Sequence, residues 1–206
     1  KRRPKRDASS GYEVSHVVEA IADAQSRLLK SPAMAYLKQR GITPYTAMMY
    51  GLGHAVGTPY ISRDTAKAGY ALGLITRGGI WLWQESVVYA DPVANPKVLN
   101  VRYLPGEFLA QPRTFQLGKH PHRTWGERVA PLGAWRITPR TRGLIVVEGL
   151  FDMLVGAQCL DEQRLYPEYV CVYTNGASPS FEILEWLGEH DFDYFLIRDM
   201  DKAGAD

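Results

Sequence analysis

The last third of the chain has the most regular pattern of apolar and polar positions. Three apolar runs alternate with two stretches of helical periodicity, at 143–147, 150–160, 170–173, 179–190 and 194–197. Short, continuous apolar runs are typical of strands that are buried on both faces, and intervening helices favour parallel pairing. The pattern therefore predicts a parallel β-α-β-α-β domain over 143–206, with a sheet that is covered on each face.

The first part of the chain has a different pattern. Apolar positions at helical spacing, bounded by proline and glycine, predict three helices at 14–30, 32–40 and 44–50. Beyond them, short β-branched and aromatic runs divided by Gly and Pro predict strands, most clearly at 79–84, 86–90 and 97–103. We expect a mixed α+β subdomain over 13–142, with a basic linker or tail at 1–12 before it.

Charge is unevenly distributed, although the formal net charge is only +2. Residues 97–142 hold nine Lys and Arg against two acids, whereas residues 143–206 hold three against thirteen. A basic stretch beside an acidic one suits a polyanion that is bound along the first and whose reacting phosphate is held through cations at the second. Two solvated surfaces of opposite sign would give the same charges, so charge alone leaves both interpretations open.

Composition excludes several classes of protein. No apolar run approaches the roughly 20 residues that a membrane helix needs, and the N-terminus is charged, so we expect a cytoplasmic protein. Cys159 and Cys171 belong to no Cys-x-x-Cys pair, which argues against a disulfide framework and against zinc within this chain. Both cysteines are predicted to be buried thiols.

Acidic residues directly follow two of the predicted parallel strands. Glu148 comes after the first strand, and Asp199 and Asp201 come after the third. Functional groups gather at the carboxyl ends of parallel strands, so these three carboxylates are expected to converge. Carboxylates that lie so close repel one another unless a cation sits between them. Because carboxylate oxygens are hard ligands, the pattern predicts a Mg²⁺ or Mn²⁺ site.

A fourth acid, Asp152, follows Glu148 by one helical turn. Gly149 lets the chain turn directly after the strand, so Asp152 can face the same site and help to bind a second ion. An Asp-x-Asp pair alone is weak evidence, because acids at strand ends commonly cap helices or solvate loops. A strand ending in Glu-Gly-x-x-Asp, followed about 50 residues later by one ending in Asp-x-Asp-x-Ala-Gly, is far more specific.

These segments resemble a known domain. The sequence VEGLFD at 147–152 and the sequence DMDKAG at 199–204 look like the two signature segments of the TOPRIM domain, which primases, topoisomerases and certain nucleases share. The segment TNGA at 174–177 lies where DnaG-type primases have a glycine-containing loop. The resemblance implies a TOPRIM-type fold for the C-terminal domain.

Upstream segments favour one member of that group. AYLKQRGI at 35–42 and YGLG at 50–53 resemble the helical segment that opens the DnaG primase core. NPKVLN at 95–100 is similar to the Pro-Lys-aromatic-Leu-Asn motif of those primases, with Val98 in place of the aromatic residue. Over about 32–206, the chain thus resembles the catalytic core of a DnaG-type primase from a bacterium, plasmid or phage.

The resemblance implies a DNA primase that makes short RNA primers by metal-dependent nucleotidyl transfer. Glu148, Asp199 and Asp201 would be catalytic and, with Asp152, would hold two Mg²⁺ or Mn²⁺ ions. The implied nucleotide- and DNA-binding residues are Lys97, Asn100, Arg102 and Lys202. The alternative for the first three is an exposed polar strand edge. The implied partners are single-stranded DNA, nucleotide triphosphates and a replicative helicase at the nucleoid or replication fork, without a membrane.

Two other functions remain open, a TOPRIM nuclease and a non-catalytic nucleic-acid-binding TOPRIM module. A topoisomerase would need a distant tyrosine domain for which there is no room, and the ATPase that TOPRIM nucleases typically follow would need a Walker loop. Family primases also carry an upstream zinc-binding domain. A complete TOPRIM domain continues past the Asp-x-Asp segment, so we expect this one to be incomplete at its C-terminus.

Overall fold

The computed structural model describes most of the chain and groups it into two compact units. The described residues are 14–57, 59, 61–90, 98–117, 122–126, 130–174 and 179–197. Of these, the first unit contains the described residues within 14–33, 52–90 and 98–126, and the second contains those within 34–51, 130–174 and 179–197. The predicted boundary near residue 142 divides the sequence, whereas these units gather contacting segments that are distant along the chain.

Helices and strands alternate differently in the two units. The helices in the described residues are α1 (Val18–Arg27), α2 (Pro32–Gln39), α3 (Pro44–Met49), α4 (Arg63–Ala71), α5 (Leu150–Glu162) and α6 (Phe181–Gly188). The strands are β1 (Gly53–Ala55), β2 (Ser86–Ala90), β3 (Val98–Tyr103), β4 (His122–Gly126), β5 (Gly143–Val147), β6 (Tyr169–Tyr173) and β7 (Asp193–Leu196). Both the mixed α+β region and the parallel β-α-β-α-β region predicted from sequence are therefore present.

The first unit is an antiparallel sheet with helices on one face. Its strand order is β1-β2-β3-β4, and every neighbouring pair is antiparallel. Alternate residues such as Val88, Val101 and Trp125 point into a core that also takes Ile21 from α1 and Ala68 from α4. The strand prediction succeeded for β2 and β3 because both are runs rich in β-branched and aromatic residues, and these runs are buried along most of their length.

The second unit is built on a three-stranded parallel sheet of order β6-β5-β7. Val146 in the central strand pairs with Val172 on one side and with Leu196 on the other. Leu144, Val146, Val170 and Val172 form its core. Because β5 is central and β7 is parallel to it, both strands end at the same edge of the sheet, which is the edge that carries Glu148.

The predicted strand at 79–84 is wrong, because this segment is a series of turns. Gly79 takes a φ of +81°, and the only bridge in the segment joins Ile75 to Trp81. The rings of Trp81 and Trp83 stack with their centroids 4.8 Å apart. In a strand, side chains two residues apart are separated by about 6.6 Å. Stacking of these two buried rings requires the tighter backbone.

Helix α4 was not predicted from the sequence, which indicated strands throughout that region. Its start is nevertheless marked, because the N-cap Ser62 accepts a hydrogen bond from Thr65 N at 3.3 Å. Its buried positions are Thr65, Ala68 and Gly69. Small residues contribute little to hydrophobic periodicity, so the helix was missed.

Two predictions about burial are also corrected. β7 is exposed along its length, with Phe195 at 48% and Leu196 at 67%, so the expected covering of both faces fails for this strand. An edge strand has a neighbour on one side only, which leaves its side chains less enclosed. Cys171 is buried as predicted, whereas Cys159 is exposed on the outer face of α5.

No helix among the described residues is both long enough and apolar enough to span a bilayer.

Candidate metal and nucleotide site

Glu148 follows the central strand of the parallel sheet, and both neighbouring strands hold the backbone just before it. On one side, Thr174 N donates a hydrogen bond to Val147 O at 3.1 Å, and on the other, Ile197 N donates to Val146 O at 2.9 Å. The half-buried Glu148 side chain is therefore carried by a rigid strand end. Such an end suits a group that must be held in a fixed position.

Asp152 folds back toward this strand end. Its Oδ2 occupies the space that a Cβ at position 149 would need, so the carboxylate lies against Gly149. Among the described residues, neither Glu148 nor Asp152 forms an ion pair. An acid in the first turn of α5 also stabilises the helix N-terminus, which is the structural alternative for Asp152. The predicted proximity of Asp152 to the end of β5 is thus observed.

The remaining predicted metal ligands, Asp199 and Asp201, lie outside the described residues, as do Lys97 and Lys202. The strand that precedes the two aspartates ends beside β5. Within the part of the chain that is described, no group of three or more His, Cys, Asp or Glu side chains could hold a metal. The predicted four-carboxylate set is represented here by Glu148 and Asp152.

Cys171 lies beneath this region as a neutral thiol. Burial, and then the negative charge of Asp152, raises the pKa of Cys171 to about 12. A thiol is a metal ligand only as the thiolate. The oxygen donors, and not Cys171, are thus the groups available to a cation, which fits a hard ion such as Mg²⁺.

Arg40 belongs to the segment AYLKQRGI, but our sequence analysis gave it no role in the site. It follows α2, is exposed, and places its guanidinium carbon 5.2 Å from the ring centroid of Phe151 in the first turn of α5. Tyr36 packs edge-on against the same ring, with centroids 5.6 Å apart. No acid among the described residues pairs with Arg40. The guanidinium of Arg40 thus lies over the first turn of α5, the helix that begins next to Glu148 and that includes Asp152.

Sequence alone offered a weak signal for Arg40. An arginine directly before a helix-capping glycine places its charge at a helix end, and Gly41 has the φ of +82° that this cap requires. Which other helix that end approaches is a tertiary contact. No local pattern around residue 40 encodes it.

Asn100 and Arg102 belong to the first unit, on the sheet face opposite its main core. Asn100 is 3% exposed, and its amide donates a hydrogen bond to Thr124 Oγ1 at 3.0 Å. Arg102 is half-buried and lies opposite Val87 on one strand and His122 on the other. Asn100 thus has a cross-strand contact of its own, and a role for either residue in binding stays a prediction.

Comparisons with known proteins place this geometry in a recognisable fold. No family model matches the sequence, and no curated protein matches it. Four chains of solved structures do match it, and two of them are described here. A structure of the DnaG catalytic core gives a TM-score of 0.64 at 15% identity, covering 91% of this chain and 62% of that one. The Aquifex aeolicus primase, with its zinc-binding and RNA polymerase domains, gives 0.65 at 20% identity, covering 92% and 48%.

This chain has the fold of a DnaG-type primase catalytic core. The predicted architecture, a mixed α+β region followed by a parallel β-α-β-α-β region, is thereby confirmed. The chain spans less than two thirds of the length of either matched structure. At such low identity the likeness establishes architecture, so the roles of individual residues rest on their own geometry.

Proposed function

We propose that this chain is part of a DNA primase that synthesises short RNA primers on single-stranded DNA by metal-dependent nucleotidyl transfer. The observation that carries the proposal is the pair Glu148 and Asp152 at the carboxyl end of the central parallel strand, in a fold similar to the DnaG catalytic core. In open parallel sheets this edge is where ligands bind. Carboxylates at this edge that form no ion pair with other described residues suit the binding of cations.

The carboxylates would hold Mg²⁺ or Mn²⁺, with Asp199 and Asp201 completing a set begun by Glu148 and Asp152. The bound ions would stabilise charge on the attacking primer 3′-hydroxyl and on the departing pyrophosphate. The rigid strand end would keep Glu148 in one orientation through each round of synthesis. Asp152 would contribute its carboxylate from the first turn of α5.

Arg40 would bind the triphosphate of the incoming ribonucleotide. Its guanidinium is held over the Phe151 ring, beside the helix turn that carries Asp152. A guanidinium offers planar, paired donors that match phosphate oxygens, and stacking on a ring restricts its motion before the ligand arrives. Lys97, Asn100, Arg102 and Lys202 would contact the template strand and the nucleotide phosphates.

The deciding experiment is primer synthesis by the full-length protein on single-stranded DNA, with ribonucleotides and Mg²⁺ or Mn²⁺. Glu148→Gln keeps the shape of the side chain but removes its charge, so the rate should fall at least about 100-fold. The matched control is Glu162→Gln at the exposed end of α5, which should retain the wild-type rate.

Other outcomes would assign a different function. Template cleavage without synthesis would favour the nuclease. A wild-type protein that binds single-stranded DNA but neither extends nor cuts it would favour the binding module. Equal synthesis by wild type and Glu148→Gln would remove Glu148 from the catalytic set.

A further inference from the structure

The side chain of Gln158 makes three hydrogen bonds to the segment that joins α2 to α3 and to the first turn of α3. Its Oε1 accepts hydrogen bonds from Thr43 N at 3.0 Å and from Thr46 Oγ1 at 2.9 Å. Its Nε2 donates to Gly41 O at 3.3 Å. One amide thus hydrogen-bonds both the Gly41 carbonyl, directly after Arg40, and two donors at the start of α3.

The chemistry of the turn selects this side chain. Two donors converge on one oxygen while a backbone carbonyl needs a donor from the same group, and among unbranched side chains of this length only an amide offers both. A carboxylate would place an oxygen against Gly41 O. The contacts also join residues more than one hundred positions apart, so they are tertiary contacts and not helix capping alone.

Gln158 and Phe151 lie on the same face of α5. They are seven residues, or two helical turns, apart, which separates them by about 10 Å along the axis. The segment from Arg40 to Thr46 therefore meets α5 at two points. At the first turn the guanidinium of Arg40 stacks on Phe151, and two turns later Gln158 holds the backbone that follows Arg40.

We propose that Gln158 is a positioning residue that sets where Arg40 lies along α5, and hence how Arg40 meets the nucleotide triphosphate. The proposal rests on the proposed function of Arg40. Gln158 itself touches no substrate. It acts by fixing the Gly41 carbonyl and the Thr43 amide, and so the backbone from which the Arg40 side chain extends toward Phe151.

Other contacts keep the segment folded when Gln158 is changed. Arg136 donates to Tyr50 Oη at 3.2 Å and to Asp161 Oδ1 at 2.8 Å, which ties the far end of α3 to α5. Tyr36 is buried against Phe151 on the near side. Loss of the Gln158 hydrogen bonds should therefore shift Arg40 without releasing the helices.

The test is a double-mutant cycle in the full-length protein, read as the KM for ribonucleotides and as kcat in primer synthesis. Gln158→Met keeps the length of the side chain but removes its hydrogen bonds, so KM should rise about three- to tenfold with kcat little changed. Arg40→Ala should raise KM by at least as much. If Gln158 acts through Arg40, the double variant should show the KM of Arg40→Ala alone.

The matched control is Gln163→Ala, an exposed glutamine five positions further along the chain. It should leave KM unchanged. Anisotropy of a fluorescent ribonucleoside triphosphate with Mg²⁺ gives the same comparison without turnover, and the melting temperature of each variant reports on folding.

The outcomes separate the two proposals. If Arg40→Ala leaves both KM and nucleotide affinity unchanged, the role of Arg40 fails, and the role of Gln158 fails with it. If Arg40→Ala weakens nucleotide binding but Gln158→Met does not, or if their effects add, only the positioning role is overturned. If Gln158→Met lowers the melting temperature without changing KM, Gln158 is purely structural. If the protein binds nucleotide but makes no primer, the proposed polymerase function is wrong. The double-mutant cycle can then still be read from the nucleotide affinities.

Discussion

The two units use buried and exposed carboxylates in opposite ways. In the first unit, Glu85 is fully buried and its Oε2 accepts a hydrogen bond from Ala110 N at 2.7 Å. Arg113 donates to the Glu85 carbonyl at 2.9 Å and also to the Leu104 carbonyl. In the second unit, Glu148 and Asp152 lie at a strand end, and neither forms an ion pair within the described part of the chain. A carboxylate bonded to its own fold stabilises that fold, whereas one held apart can bind a ligand.

Replacing one glutamate in each unit should give the largest contrast in stability. Glu85→Ala leaves a cavity where the fully buried side chain was and removes the acceptor of the Ala110 N–H, so the free energy of unfolding should fall by about 3 kcal/mol. Glu148→Gln should change it by less than about 0.5 kcal/mol, because this half-buried carboxylate loses no ion pair to any of the residues that the structure describes. Urea unfolding of both variants measures the difference. Equal losses would show that Glu148 is a structural residue.

The buried group beside Glu85, His54, should make the stability of the first unit depend on pH. Burial, and then the positive charge of Arg27, lowers the pKa of His54 to about 4, although Glu85 Oε2 lies 3.7 Å from its Nε2. The folded state therefore favours neutral His54. Its contribution to stability is complete above about pH 6.5 and is lost as the pH falls toward 4. Between pH 7.5 and pH 5 the loss should be about 2 kcal/mol.

Urea unfolding at the two pH values checks this expectation. The glutamine of His54→Gln cannot titrate, so this variant should lack the part of the pH-dependent loss of stability that is due to His54. His16→Gln, at an exposed position in the same unit, should keep the wild-type dependence. If His54→Gln retains the full wild-type dependence, His54 is not the group responsible.

The smallest predicted effect concerns the space above Gly149. This residue has extended backbone angles that alanine also adopts, but a methyl group would displace the Asp152 carboxylate. Gly149→Ala should therefore raise the Mg²⁺ concentration for half-maximal primer synthesis about tenfold, with little loss of stability. Gly188→Ala, where nothing lies within 4 Å of the new Cβ, is the control. An unchanged Mg²⁺ requirement would remove Asp152 from the metal site.

The parallel unit was more predictable from sequence than the antiparallel one. Its strands β5 and β6 are continuous apolar runs, a signal that depends only on neighbouring residues. Helix α4 and the turns at 79–84 were missed because small residues and stacked tryptophans derive their burial from distant partners. The local sequence is the same whether the rings of Trp81 and Trp83 stack on each other or both pack on one face of a strand.

In the candidate site too, the residues defined by local sequence patterns were predicted, and those defined by distant contacts were not. Glu148 and Asp152 were found from one short segment, because a strand end followed by a glycine and a helical turn brings the acids together locally. Arg40 and Gln158 were not found. Each is defined by a contact across more than one hundred residues, and neither residue type signals its partner.

By itself the sequence determined that a buried strand ends in Glu148, that a helix follows at once, and that a second acidic segment follows a third strand. Periodicity and spacing suffice for this, since both act over a few residues. Only the tertiary structure decided that β7 pairs with β5, that the Asp152 carboxylate lies over Gly149, and that Arg40 stacks on the helix beginning there. Those contacts depend on how distant segments pack, and packing is a property of the whole core.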